Sequence, residues 1–477
     1  MIKTLLYGCA FGLILFSCKS SVQLPAPDMT KAESNVATKI TALMQEVESD
    51  PGSADKWGLL AMNLDIHDFK AEGIHCYKKA AALDPAAFRW PYYLGLALAA
   101  TGDESAHDAL KQAQKINPGY APLNYRLGMS NLALGNNKEA QDNFQQAAQS
   151  SNPNIKAFSL WGESQVFLAE DKVKSAIKLL EQAKKLQPYI REVHAQLATL
   201  YRQNGQLELA EAETIQLDML PERLPIEDNY TALLEQQGES SYWHSIRGRR
   251  FLDAGNYDAA LDAFQTERAI KKSADVYNSL GMTYQYREQH RQAAAHFRQA
   301  IEMAPDYAEA FNNLGISLFS MNRLQAAIDT LNQALKLKPT YSDPYLNLGT
   351  FQVINGKTGE ARKVFKTGLE KADYDIRIGA RLAWLMSTAT QSKHRDGRTA
   401  MALAEKVCRK TGYQTVSYID IYAAACAEAR HFKKAVALAQ QALELGKRGA
   451  DPGTLRQIQN RLDLFKKKKP FRDRSLL

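Results

Sequence analysis

A Leu-Gly step, or a close variant of it, returns along this 477-residue chain at near-constant spacing. It stands at Leu94-Gly95, Leu127-Gly128, Trp161-Gly162, Leu197-Ala198, Arg247-Gly248, Leu280-Gly281, Leu314-Gly315 and Leu348-Gly349. By subtraction, the small residues lie 33, 34, 36, 50, 33, 34 and 34 positions apart. A fixed period of this length marks a repeat architecture: a short unit that cannot bury its own apolar face stacks on copies of itself. The single interval of 50 shows one break in the phase.

Other landmarks move with the step. From Ala274 the pattern is Tyr277, Leu280, Gly281, Tyr284, Ala293, Phe297, Ala300 and Pro305; from Ala308 it is Phe311, Leu314, Gly315, Leu318, Ala327, Leu331, Ala334 and Pro339. From Ser342 it continues as Tyr345, Leu348, Gly349, Gly356, Ala361, Phe365 and Gly368. Helical spacing on both sides of a short gap reads as two helices and a turn. Gly or Ala at the eighth position and Ala at the twentieth permit close helix approach. Gly102, Gly135, Gly205, Gly255, Asn322 and Gly356 suit the left-handed turn that ends the first helix, and proline stops the second. An abundance of Ala, Leu, Gln and Lys favours helix as well.

This pattern resembles the tetratricopeptide repeat, a helix-turn-helix unit of about 34 residues. The resemblance implies an all-α fold, a right-handed superhelical α-solenoid. The expected organisation is an N-terminal repeat block over 31–217, opened by a capping helix from Lys31 to Val47. An irregular break follows over 218–240, where Pro221 and Pro225 interrupt helix. A central repeat block spans 241–374, an extended C-terminal pair 375–447, and a last helix with a basic tail 448–477.

The front of the chain, MIKTLLYGCAFGLILFSCKSS, has one Lys and an apolar run from Leu5 to Phe16. The run is short for a bilayer span and suits a secretory leader. Leu15-Phe16-Ser17-Cys18 resembles the bacterial lipobox, which implies a signal peptide over 1–18, acylation of Cys18 and a linker over 19–30. Lys19 after the cysteine, by resemblance to proteobacterial sorting, points to the outer membrane, facing the periplasm. A leader cleaved without lipid and a retained anchor are the alternatives.

Beyond the leader only Cys76, Cys408 and Cys426 remain, with no Cys-x-x-Cys, no Cys-x-x-Cys-His and no His-Glu-x-x-His. No metal or cofactor is expected. The segment Ser392-Lys393-His394-Arg395-Asp396 near Cys408 invites a Cys-His reading, but no readable spacing supplies an orienting partner. Repeats from about residue 31 to 447 also leave no room for a catalytic domain. The expected protein is not an enzyme.

Net charge is +8, from 60 basic and 52 acidic residues, spread along the chain. Basic clusters at Arg247, Arg249 and Arg250, and at Lys466, Lys467, Lys468 and Lys469, suit solvent, anionic lipid or an anionic envelope glycan better than nucleic acid.

With the Gly of the Leu-Gly step as position 8, positions 4, 7, 8 and 11 pack, while 2, 5, 6, 9, 12 and 13 face the groove. In the regular repeats the groove set includes Asn278, Gln285, Glu309, Asn312, Asn313, Phe319 and Asn347. Amides beside apolar groups suit an extended peptide. Asn at position 6 resembles the asparagine ladder of peptide-binding repeats, carried by Asn313 and Asn347. The competing reading is structural, with these amides bonding adjacent helices. The expected protein is an envelope-tethered scaffold that binds segments of partner proteins and serves assembly of an envelope, secretion or export machine.

Overall fold

A computed structural model describes residues 23–217, 220, 224–447 and 451–473. Among them are 25 α-helices, two 3-10 turns and no strand. The chain is an all-α helical-repeat solenoid.

The regular repeats form hairpins where the sequence places them. Ala274–Tyr286 pairs with His290–Met303, Ala308–Ser320 with Leu324–Leu337, and Ser342–Ile354 with Thr358–Lys371. The six expected turn residues all have positive φ, from 59° at Asn322 to 77° at Gly135. Asp68, Asp171, Glu288 and Arg430 take the same conformation in other copies, where no glycine announces it. Close approach at the eighth position is explicit. A Cβ at Gly281 would lie 2.5 Å from the Phe297 ring, and the Phe144 ring sits within 2.5 Å of the Cβ positions of both Gly128 and Gly162. A methyl at either glycine would occupy space that the ring already fills.

The helices divide into two compact units. The first holds residues up to 123 together with 229–238. Its N-terminal helix, Ser34–Ser49, turns Val36, Ile40, Leu43 and Val47 inward against a core that includes Trp57 and Leu60. That is the expected capping helix, with an apolar stripe at helical spacing.

The second unit holds 124–228 and the chain from 239 onward. Its C-terminal part differs from the single extended pair expected over 375–447. Four helices stand there: Ile376–Thr388, Gly397–Lys410, Val416–Glu428 and Phe432–Gly446. The first two are joined by a seven-residue connection, Ala389 to Arg395 with Asp396 as N-cap, in place of the tight turn of the other repeats, which obscures the period. A last helix, Pro452–Lys466, closes the stack with Ile458, Leu462 and Phe465 buried. The break also has structure of its own. Asn229–Gln236 is a helix of the first unit, while the preceding residues 224–228 are neither helix nor strand and belong to the second.

Candidate peptide groove and pocket

In the regular repeats, positions 5 and 6 of successive first helices meet. Asn313 donates from Nδ2 to Asn278 Oδ1 at 3.1 Å, and Asn347 donates to Asn312 Oδ1 at 2.9 Å. Asn312 Nδ2 closes the relay on Asn313 Oδ1 at 3.3 Å. Asn278 and Asn312 are buried, and Ser317 donates to Gln285 at 3.0 Å. Glu309 pairs with Lys338 at 3.0 Å, and Phe319 stacks on Phe351 with centroids 3.8 Å apart. Four amides and an aromatic pair therefore link repeat to repeat. A buried amide needs such partners, because water cannot supply them.

The relay ends where position 5 changes from Asn to Leu346 and then Ala380. A pocket of about 670 Å³ opens at that point. Its lining comes from positions 2, 5, 6 and 9 of Ser342–Ile354 and Ile376–Thr388, together with residues of Val416–Glu428 and Pro452–Lys466. Leu346, Ala380, Ile421 and Ile458 provide apolar wall, and Trp384 and Tyr418 provide rings. Of the seven groove residues expected from sequence, Asn347 lines it.

Three guanidinium groups and one carboxylate face this pocket. Arg377 bonds Asp375 at 2.6 Å and Asp343 at 2.9 Å. Burial works against the Asp375 carboxylate, but hydrogen bonds from Arg377 and Ser342 hold it below the usual carboxylate range. Arg461 grips Asp420 through two bonds of 2.7 and 3.0 Å, with both side chains buried. Burial keeps Asp420 above its usual range in spite of that arginine. Arg381, which is exposed, has no ion-pair partner among the described residues.

The end of the chain completes this region. The Arg461 guanidinium lies 5.4 Å from the Trp384 ring and 5.3 Å from Phe471. Trp384 Nε1 donates to Asp473 at 2.9 Å, the Asp473 amide donates to the Thr388 carbonyl at 2.9 Å, and Arg472 pairs with Glu428 at 2.7 Å. Phe471 to Asp473 is thus a docked segment. Lys466, Lys467, Lys468 and Lys469, just before it, are exposed. Arg249 and Arg250 are exposed too, and Arg247 is half-buried on the same helix, Ser241–Asp253.

Elsewhere in the second unit residues 224–228 are bound by helices. Asn154, itself buried, accepts from the Glu227 amide at 2.9 Å and donates to the Pro225 carbonyl at 3.3 Å. Leu224 and Ile226 pack on the cluster around Phe158. Arg126, at position 6, pairs with the fully buried Asp228 carboxylate at 3.1 Å.

Within the first unit, Tyr230 enters an aromatic cluster. Its ring lies 5.1 to 5.8 Å from Phe88, Tyr92, Tyr93 and Tyr120, and Tyr93, at position 6, donates to its carbonyl at 2.9 Å.

Other candidates separate. Cys18 lies outside the described residues. Cys408 is buried in the core, where burial pushes its thiol up to about 12. His394 packs over Gly359 instead. A buried, protonated thiol is a poor nucleophile. Among the described residues no three His, Cys, Asp or Glu side chains gather as a metal site, and no helix is long and apolar enough to cross a membrane.

Profiles of the tetratricopeptide repeat match residues 121–154 and 278–342. The RNA polymerase-associated protein CTR9 of Caenorhabditis elegans is 25% identical over 182 residues, 37% of this chain. The match spans 15% of that relative's length. Among solved structures, yeast Tom70 is similar over 91% of this chain and 96% of its own, with 12% identity and a TM-score of 0.42. A thermophilic tetratricopeptide-repeat protein of Thermus thermophilus is similar over 39% of this chain and 98% of its own, with 20% identity and a TM-score of 0.33.

Proposed function

This chain is a tetratricopeptide-repeat protein, and from that premise we propose that it is a scaffold, tethered to the cell envelope by lipid on Cys18, that holds an extended segment of a partner protein in its second unit. The repeat itself suggests protein partners. The observation that carries the finer reading is the opening of the groove at Leu346 and Ala380, where the amide relay stops and side chains of positions 2, 5, 6 and 9 surround a cavity. Elsewhere in the second unit a helix side chain grips backbone directly, as Asn154 does at Pro225 and Glu227. Extended peptides are recognised by that combination of backbone bonds and side-chain pockets. The lipid would raise the local concentration of scaffold at the membrane, which strengthens capture without new contacts. Assembly of an envelope, secretion or export machine is the role such a tether suits.

The test is crosslinking in intact membranes with a photoreactive residue at Thr350, followed by identification of the adduct by mass. A protein adduct lost when the pocket is blocked supports the scaffold; lipid and glycan alone would sink it. Radiolabelled palmitate incorporation, abolished by Cys18→Ser, tests the tether separately. The exposed run Lys466 to Lys469 supports a second reading, binding of anionic envelope polysaccharide or lipid. That reading requires salt-sensitive glycan binding that disappears when the four lysines become glutamine.

A further inference from the structure

Resting on the reading that the second unit holds a partner segment, we infer that the pocket beside Arg381 receives an acidic residue of that segment. Its carboxylate meets Arg381, and the neighbouring apolar side chain lies against Leu346, Ile421 and Trp384.

The charge on the lining carries the inference. Arg461 and Asp420 neutralise each other, buried and bidentate, and Arg377 is held by Asp343 and Asp375. Arg381 is the guanidinium on the lining that makes no ion pair among the described residues. It occupies position 6, where the two preceding repeats place Asn313 and Asn347. A neutral amide that bonds the preceding repeat is thus replaced by a cation that makes no ion pair among the described residues. A planar guanidinium prefers a carboxylate, which it can bind through two parallel bonds. The walls exclude a bare inorganic anion as the natural occupant. Leu346, Ala380, Ile421 and Ile458 leave much of the pocket apolar, and burying apolar ligand surface there is favourable. A carboxylate joined to an apolar body satisfies both parts of the lining.

The geometry also fixes how Trp384 is presented. Its Nε1 is tied to Asp473 and its ring is stacked by Arg461, so the indole is pre-set before any ligand arrives. Pre-organisation of this kind reduces the ordering that binding must oppose.

The experiment selects dodecapeptides from a displayed random library on the immobilised full chain, then measures each selected peptide by fluorescence anisotropy. Every peptide is made in three forms: as selected, with its Asp or Glu exchanged for the amide, and with its C-terminus amidated. The expected selection is an acidic residue beside a large apolar one. The acid-to-amide form should bind about tenfold or more weakly, the size of one charge-assisted bond. Arg381→Gln should lower affinity by the same factor, and Arg381→Lys should keep part of it. Loss confined to the C-terminally amidated form would identify the chain terminus as the carboxylate; loss confined to the side-chain amide would identify an internal residue. Arg381 is exposed, so its variants should fold, and circular dichroism checks that. Peptides without acids, or with equal affinity for Arg381→Gln, would overturn the pocket assignment while leaving the scaffold reading intact. A library that yields no binder at all would overturn both.

Discussion

Position 6 of the first helix has three different fates along one chain. In the early repeats Tyr93 and Arg126 bind residues of the chain's own break, the Tyr230 carbonyl and the Asp228 carboxylate. In the later repeats Asn313 and Asn347 bind the preceding repeat, and in the next repeat Arg381 makes no ion pair among the described residues. The scaffold is the same, so the difference lies in how polar groups on a half-buried face are satisfied. A face can be completed by its own chain, by its neighbours or by a partner. The third state is the one available for recognition.

The sharpest way to break this contrast is to release the self-bound segment. Arg126→Met leaves Asp228 buried without its ion pair, a loss of about 3 kcal/mol. Hydrogen exchange should then show residues 224–228 losing protection while Ser342–Ile354 keeps its own. Unchanged exchange in the segment would mean that Arg126 does not hold it. Tyr230→Ala acts on the first unit. It removes one ring from a cluster of five, and because that ring is only partly buried the expected loss is about 2 kcal/mol. Exchange in Asn229–Gln236 and Arg89–Ala100 should rise together. A rise in the former alone would show that the cluster does not depend on Tyr230.

Much of this molecule was legible in its sequence, for a physical reason. The 34-residue period records contacts that every repeat must make, such as Gly281 against Phe297, so each copy restates the same packing rule. The six left-handed turn residues were readable for the same cause, since few side chains tolerate that φ. Turns that use Asp171 or Glu288 were not, because nothing in those residue types announces the conformation. Angle places the expected groove side chains on one face of the helix, yet it does not tell an amide bonded to its neighbour from one facing a ligand. Asn312 points along the expected direction and is buried there. Carried one repeat further, the same positions reach Arg377, Ala380, Arg381 and Trp384, which line the pocket. Ala383 in place of the glycine of the Leu-Gly step, and the longer connection after Thr388, hid them. The docking of Phe471 to Asp473 and of Tyr230 uses contacts as far apart as 87 and 142 residues by subtraction, from Trp384 to Phe471 and from Phe88 to Tyr230, and no local pattern encodes those.

The second half of the comparison can be tested inside the amide relay. Asn312→Leu keeps the branched shape but removes the acceptor of Asn347 and the donor to Asn313. Asn347 faces the pocket and can turn to water, so the expected loss is only about 1 to 2 kcal/mol. Urea denaturation gives the change, and the peptide measurement gives its meaning. A relay that serves only to join repeats should leave peptide affinity almost unaltered in this variant. A larger fall in affinity than in stability would make the amides part of the recognition surface.

The smallest effect separates two ways of joining repeats. Helices Val173–Leu186, Arg191–Gln203 and Leu207–Leu217 are linked by charge: Glu213 accepts from Lys184 at 2.7 Å and meets His194 Nδ1 at 2.6 Å, while Lys184 also reaches Glu181 at 3.0 Å. The later repeats use neutral amides. Burial alone would raise the Glu213 carboxyl, but the bonds from His194 and Lys184 outweigh it and hold the group below its ordinary value of 4.5. A carboxyl lowered on folding stabilises the fold above that ordinary value and ceases to do so as pH falls through the lowered one. The amide relay contains no group that titrates there. Acidification from pH 7 to about 4 should therefore weaken the helices from 173 to 217 before those from 274 to 354, as read by hydrogen exchange corrected for intrinsic rates. Glu213→Gln should flatten the acid response of the first region and leave the second unchanged. Equal acid sensitivity in both regions of the unaltered protein would show that the ionic link contributes nothing that the amides do not.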